Sequence, residues 1–252
     1  MRILLLSDIH SNLEALEACL AAAPSTDATV NLGDIVGYGA SPNEVTVRVR
    51  NLGGIFVRGN HDRVVAGIDT VENFNPIAGA AALWSRAQLT SENLDWLRDL
   101  PKGPVGTNEL SAVQYVHGAP DNEDRYVVTP QDAAVQLMQT SMDVTFFGHT
   151  HIQGAFQLGG KFVRSVRPAY ETVAKQEVWD LRLKEGVKYM INPGSLDSRV
   201  MATGGVGLRC LTRSSALSAF SACPTNCARH KKKFWLQVFR NGWPRDSQQD
   251  GK

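Results

Sequence analysis

Five short apolar runs in this chain are each followed at once by residues that can bind a metal ion or transfer a proton. The segments read SDIH, LGDIVG, RGNHD, VHGAP and FGHTH. Near-continuous apolar runs are typical of strands covered on both faces, and the helical patterns between them predict an α/β fold. Because the carboxyl ends of strands in such sheets open onto one crevice, we expect polar residues spread between Asp8 and His151 to meet there.

The local patterns predict six strands and four helices. The strands are expected at residues 2–6, 29–32, 55–58, 113–116, 144–147 and 189–191. The helices are expected between residue 11 and Pro24 and at 43–51, 91–100 and 132–138. Ser11 with Glu14 predicts a capping box on the first helix, and Ser91 is expected to cap the third. Residues 37–43 and 68–82 are expected to be loops that carry substrate specificity, with Tyr38 and Phe74 among them.

The residue types at the strand exits predict a metal site. Any one segment is also consistent with an ordinary turn or a hydrogen-bonded histidine, but together they contain every histidine before residue 152. Imidazole and carboxylate groups without thiolate suit Mn, Fe, Zn, Ni or Co. The ligands are too many for one ion, and a bridging carboxylate would suit two ions roughly 3.5–4 Å apart. His61 would then face the leaving oxygen, and Asp62 would orient its imidazole.

In order, the five segments resemble the signature of the calcineurin-like metallophosphoesterase superfamily: D-x-H, G-D, G-N-H-D/E, a lone H and G-H-x-H. The resemblance covers residues 1 to about 195, and LGDIVGYGASPNEV is similar to the small single-domain bacterial and archaeal branch. It implies a two-sheet β-sandwich flanked by helices, in four αββα layers. The implied ligands are Asp8, His10, Asp34 and His151 for one metal, and Asp34, Asn60, His117 and His149 for the other. His61 would be catalytic with Asp62 as its partner, and Asn12 is expected to contact phosphate.

This resemblance implies hydrolysis of a phosphomonoester or phosphodiester through a metal-bridging hydroxide, with manganese favoured. One alternative is a non-catalytic metal-binding scaffold of the same fold, although such relatives typically lose the catalytic histidine and His61 is present. A second alternative is a chain impaired by an aberrant C-terminus, because the resemblance ends near Asp197.

Composition changes near residue 200. Residues 1–199 contain 17 Lys and Arg against 23 Asp and Glu, whereas residues 200–252 contain 9 against 2. We therefore predict a metallophosphoesterase domain at 1–199 and an atypical basic tail at 200–252 that packs poorly. The lysines at 231–233 are interpreted as solvated surface, so we expect a small phosphorylated substrate as partner and no nucleic acid. No apolar run reaches 18 residues and no signal peptide is recognisable, which predicts no membrane partner and a cytoplasmic location. The oligomeric state is left open.

Overall fold

The structure is a computed structural model that describes residues 2–106, 112–168, 177–196 and 234–240. Its helices are α1 (Leu13–Ala22), α2 (Pro42–Leu52), α3 (Asn60–Val65), α4 (Pro76–Gln88), α5 (Ser91–Arg98) and α6 (Pro130–Gln139). Its strands are β1 (Ile3–Leu6), β2 (Ala28–Asn31), β3 (Ile55–Phe56), β4 (Val105–Gly106), β5 (Val113–Tyr115), β6 (Val144–Phe146), β7 (Gly154–Gly159), β8 (Phe162–Val166), β9 (Glu177–Leu183), β10 (Lys188–Asn192) and β11 (Phe234–Arg240).

The strands form two main sheets and one short pair. The first sheet is parallel in the order β1-β2-β3, with Leu4 opposite Thr29. The second has the order β4-β5-β6-β10-β7-β8, in which β5, β6 and β10 run parallel and β4, β7 and β8 join them antiparallel. Strands β9 and β11 pair with each other.

Apolar side chains on both faces of the strands hold four layers together, as the continuous apolar runs predict. One core lies between the two sheets and joins residues such as Leu5 and Val30 of the first to Tyr115 and Ile191 of the second. The opposite face of the first sheet packs on helices α1 to α5, and that of the second packs on α6. The predicted α/β sandwich of two sheets flanked by helices is therefore confirmed.

All six predicted strands are present, with ends that differ by up to two residues, but two helix caps differ from prediction. The cap of α1 is Asn12, whose side-chain oxygen accepts from the Ala15 amide at 3.1 Å. Ser11 cannot serve because its backbone is left-handed, with φ of 56°. The cap of α5 is Thr90, whose hydroxyl accepts from the Asn93 amide, and Ser91 is already helical.

Residues 68–82 are not a continuous loop. Helix α4 begins inside this range, with Pro76 in its first turn, where a missing amide hydrogen costs nothing. The Asn75 side chain caps it by accepting from the Ala78 amide at 2.9 Å. Helix α3 and strands β4, β7, β8 and β9 were also not predicted, since each is short or lacks a sustained period.

Within the predicted tail, the structure describes only β11, which pairs antiparallel with β9 from Phe234 opposite Leu183 to Arg240 opposite Glu177. The lysines at 231–233 and the rest of the tail lie outside the described residues, so its poor packing and the domain boundary stay predictions. Among the described helices, none combines the length and the apolar character needed to cross a bilayer.

Candidate metal centre

The strand exits turn sharply through residues with left-handed backbone. Asp8, His10, Asp34, His149 and His151 have φ values of 52°, 51°, 55°, 65° and 57°. Such a conformation costs a non-glycine residue about 1–3 kcal/mol and persists only where the surrounding structure enforces it. Here the β1 and β2 exits are joined by hydrogen bonds from the Asp8 amide to the Gly33 carbonyl and from the His10 amide to the Asp34 carbonyl, each 3.0 Å. These turns aim consecutive polar side chains into one crevice.

The side chains converge in two groups that share one carboxylate. The first ligand group is Asp8, His10, Asp34 and His151, and the second contains Asp34, His117 and His149. Within each group, one candidate ligand atom per residue lies within 4.8 Å of all the others. The Asn60 side-chain oxygen lies 3.1 Å from His117 Nε2, which adds it to the second ligand group. The structure thus brings together all seven residues predicted as ligands.

Asp34 lies between the two groups. Its Oδ2 is 3.6 Å from His10 Nε2 and 3.4 Å from His117 Nε2. Its other oxygen, Oδ1, accepts from the His61 backbone amide at 2.9 Å. That hydrogen bond fixes the rotation of the carboxylate, so one oxygen faces both groups at once.

The imidazoles are oriented as metal ligands require. His10 Nδ1 donates to the Val36 carbonyl at 3.1 Å, and His117 Nδ1 donates to the Leu32 carbonyl at 2.8 Å. Both rings therefore turn Nε2 toward the crevice, an arrangement that backbone carbonyls commonly enforce on metal-bound histidines. His10 Nε2 lies only 3.2 Å from His151 Nε2. The two nitrogens are close enough to share one proton or to bind one cation, so with Asp8 and Asp34 these residues fit a divalent metal ion.

The buried charges perturb one another strongly. Burial opposes protonation of His117, but the carboxylates of Asp34 and Asp8 outweigh it and raise the His117 pKa to about 10. Burial likewise favours a neutral Asp34, yet the charge on His117 holds the Asp34 pKa well below its ordinary value. The carboxylates offset the effect of burial less at His149, so burial lowers the His149 pKa to about 4. Before a metal binds, the centre therefore holds protons beside its carboxylates.

His61 sits beside the first ligand group without belonging to it. Its ring centroid is 4.8 Å from that of His10, and its Nδ1 forms no hydrogen bond with any described residue. Burial lowers the His61 pKa to about 3, which the nearby charge of Asp34 only partly offsets. His61 is therefore a neutral imidazole beside the ligand groups, and its buried Nδ1 has no hydrogen-bond partner among the described residues.

The predicted pairing of Asp62 with His61 is not a hydrogen bond between their side chains. The Asp62 carboxylate accepts from the backbone amides of Ile35, Val36 and Gly59 at 2.9, 3.1 and 3.0 Å. It therefore fastens the exit of β2 to the start of α3 and positions His61 through the backbone. Burial and the charge of Asp34 raise the Asp62 pKa to about 7, against the opposing effect of these amide hydrogen bonds.

Asn12 has a structural role in the fold. The residue is 3% exposed, and its side-chain oxygen is engaged as the cap of α1. A phosphate contact would use the Nδ2 donor of the same side chain, so that contact stays a prediction.

Glycines in the motifs make room for the ligands. A Cβ on Gly59 would overlap Asp34 Oδ1, and one on Gly37 would lie 2.6 Å from His61 Nδ1. Gly37 also has φ of 107°, which a side chain would strain. Glycine at these two positions lets the β2 exit approach α3 closely enough for Asp34 and His61 to touch.

Several supporting residues were not predicted. Asn192 donates to the Gly148 carbonyl and the Thr150 hydroxyl, and Ser195 donates to the Asp8 carbonyl at 2.9 Å. Both lie in the INPGSL segment, where an Asn and a Ser directly after a buried strand were the available signal. Tyr126 has no such signal: its ring centroid lies 4.0 Å from that of His149. Both predicted specificity residues pack against His61, with ring centroids 4.6 Å away for Phe74 and 4.8 Å away for Tyr38.

The fold and the centre together define a metal-binding protein of the two-sheet α/β class. Residues 1–153 match the model of the family described as calcineurin-like phosphoesterase. An uncharacterized protein of Methanocaldococcus jannaschii is 34% identical over 196 residues, or 77% of this chain and 75% of that protein. The chain belongs to the calcineurin-like phosphoesterase family.

Solved structures agree with this assignment. The crystal structure of a metallophosphoesterase from Sphaerobacter thermophilus is 32% identical, with a TM-score of 0.66 over 84% of this chain and 82% of that one. A hypothetical protein from Pyrococcus horikoshii OT3 has a TM-score of 0.60 at 15% identity, covering 95% of this chain and 88% of that one. At that identity the likeness shows the fold alone.

Proposed function

We propose that this chain is a dimetal-dependent phosphoesterase that hydrolyses a small phosphomonoester or phosphodiester. The observation that carries the proposal is the position of Asp34 Oδ2 between His10 and His117, which suits one carboxylate shared by two cations. The membership of the family and the convergence of both ligand groups support it. The expectation of a cytoplasmic location belongs to the same proposal.

The first ligand group would hold one ion, and the second, with Asn60, would hold the other. Their imidazole, carboxylate and amide oxygen donors suit Mn²⁺, Fe²⁺, Co²⁺, Ni²⁺ or Zn²⁺, and we favour Mn²⁺. Two such ions activate a water molecule and offset the negative charge that develops on a phosphoryl group. The protein's own contribution is orientation, because hydrogen bonds to backbone carbonyls fix the rings of His10 and His117 before the ions bind.

His61 would interact with the leaving oxygen. Its backbone amide is tied to Asp34 Oδ1 at 2.9 Å, so the ring is held at a fixed place relative to the shared carboxylate. A phosphate anion bound beside the ring would favour its protonated form, because an opposite charge within a few ångströms stabilises the charged state. The imidazolium could then donate its proton to the departing alkoxide.

Hydrolysis of bis-para-nitrophenyl phosphate and para-nitrophenyl phosphate by metal-stripped protein, before and after addition of Mn²⁺, tests the proposal. Activity should appear only with metal and should be absent in Asp34→Asn. The matched control is Asp99→Asn, at an exposed carboxylate just beyond α5, which should retain full activity.

Three outcomes separate the proposal from its alternatives. Metal-dependent turnover supports the phosphoesterase. Binding of two ions without turnover of any phosphoester would favour the non-catalytic scaffold. Failure to bind metal, together with the lack of a cooperative melting transition, would favour a chain impaired by its C-terminal tail.

A further inference from the structure

Tyr126 presents one face of its ring to the candidate metal centre and leaves the rest in solvent. Its centroid lies 4.0 Å from that of His149, with the ring planes inclined by 35°. The residue is nevertheless 60% exposed. A large aromatic side chain that is half in solvent and in contact with a candidate metal ligand contributes little to a core, which suggests another use.

The segment that carries Tyr126 is fastened on both sides. On the preceding side, Arg63 binds Glu123 at 2.5 Å and Asp124 at 3.0 Å, and Arg58 binds Glu123 at 3.1 Å. The Glu123 side chain is 10% exposed, so its two ion pairs are shielded from solvent, whereas the Asp124 side chain is 46% exposed.

Two further contacts complete the anchoring. The Asp124 carbonyl accepts from His149 Nε2 at 3.2 Å, and on the following side Val127 is buried in a cluster with residues of α6, β7 and β10. The chain on both sides of Tyr126 is therefore held before any ligand arrives, and the ring itself contacts His149, which lowers the entropy cost of ordering it.

A second ring lies by His61, near the first ligand group. Phe74 is partly buried, and its centroid is 4.6 Å from that of His61, whereas Tyr126 lies by His149 of the second ligand group. Of these two rings, that of Tyr126 is the more exposed. A flat group attached to a phosphate at the centre could reach the exposed part of the Tyr126 ring, because that ring contacts His149 of the second ligand group.

We propose that the exposed face of Tyr126 is a stacking subsite for a nucleobase, so that the preferred substrates are nucleoside phosphates. The inference rests on the proposed phosphoesterase function and specifies its substrate class. A base is favoured because an exposed aromatic face recognises a planar π-system by stacking. Stacking of one base on one aromatic side chain is worth about 5- to 100-fold in affinity.

The test compares substrates that share a leaving group. A nucleoside 5′-monophosphate and ribose 5-phosphate both release phosphate from the same primary alcohol, so they differ only in the base. We expect kcat/KM to favour the nucleotide by about 5- to 100-fold. If the protein accepts only diesters, the methyl esters of the two phosphates serve the same comparison.

Variants assign the preference to the ring. Tyr126→Phe should retain the preference for the nucleotide, because the stacking face is unchanged. Tyr126→Leu should lose the contribution of the base and bring the kcat/KM values of the two substrates to within about twofold of each other. The control is Phe162→Leu, an aromatic residue 73% exposed at the start of β8, which should retain the full preference. Equal kcat/KM for both substrates in the unaltered protein, or an equal loss on both in Tyr126→Leu, would overturn the subsite and leave the phosphoesterase intact.

A binding measurement keeps the subsite testable without turnover. Calorimetric titration of the Mn²⁺-loaded protein with the same nucleotide and with ribose 5-phosphate should show the same ratio of affinities, again lost in Tyr126→Leu. Equal affinities would contradict the subsite. The absence of hydrolysis of every phosphoester would contradict only the proposed function.

Discussion

Asp34 and His117 form a buried ion pair, with Oδ2 3.4 Å from Nε2 and side chains that are 2% and 0% exposed. A pair of opposite charges out of water is stable only when further partners satisfy both groups. Here the Leu32 carbonyl accepts from the imidazole, and the His61 amide donates to the carboxylate. The two atoms that form this ion pair are the same atoms that would bind the metal ions. In the absence of metal, a proton on His117 therefore takes the place that an ion would occupy.

Metal affinity should therefore rise with pH. Below its pKa of about 10 His117 is protonated, and a divalent ion can bind Nε2 only after displacing that proton. For each proton released, the apparent affinity should fall about tenfold per unit as the pH is lowered. Calorimetric titration with Mn²⁺ in buffers of different ionisation enthalpy counts the protons, and His117→Gln should release one fewer. An affinity independent of pH between about 6 and 8 would refute the competition.

Asp34→Asn should abolish activity and release at least one metal ion per chain. The amide can still accept from the His61 backbone through its oxygen, so the fold is expected to persist, but the charge shared by the two ligand groups is gone. Elemental analysis measures the metal content, with Asp99→Asn as the control of equal chemistry at an exposed position. Two ions per chain in the variant would exclude the shared role of the carboxylate.

His61→Ala should retain both metals and lower kcat by about 10²- to 10⁴-fold, the usual range for the loss of a proton donor. The decrease should be smaller for esters with acidic leaving groups, because they depart with less help from a proton. A series of aryl phosphates with graded leaving-group pKa values measures this. A uniform decrease across the series would instead indicate an electrostatic or structural role.

Asp62→Ala should destabilise the protein because it leaves three buried backbone amides without an acceptor. Each unsatisfied buried donor costs about 1–3 kcal/mol, so the melting temperature should fall clearly even in the metal-free protein. Asp62→Asn keeps one acceptor oxygen, so its melting temperature should fall less than that of Asp62→Ala. A loss of activity equal to that of His61→Ala with an unchanged melting temperature would restore the predicted direct partnership of Asp62 with His61.

The strands and the polar residues at their ends could be predicted because both depend on short stretches of chain. An apolar run such as residues 2–6 must be covered on both faces, and the polar residue that follows it must lie where the sheet ends. All seven predicted ligands meet in the structure because that rule applies to each strand separately. The family resemblance depends on the same local segments.

Which partner each polar side chain takes was decided only by tertiary structure. Asp62 follows His61 directly in sequence, yet its carboxylate reaches amides from the exit of β2, since the close approach at Gly59 brings them nearer than the ring. Asn12 follows a metal-binding turn, but that turn aims it along α1 as a cap.

The left-handed turns and the place of Tyr126 have the same origin. The sequence by itself determined the two-sheet class and the set of residues at the crevice, because burial of apolar runs is a local requirement. Only the tertiary structure placed Tyr126 against His149 and gave Asp34 its position between two histidines. Contacts between segments far apart in sequence fix those positions, and they overrule the conformations that the individual residues prefer.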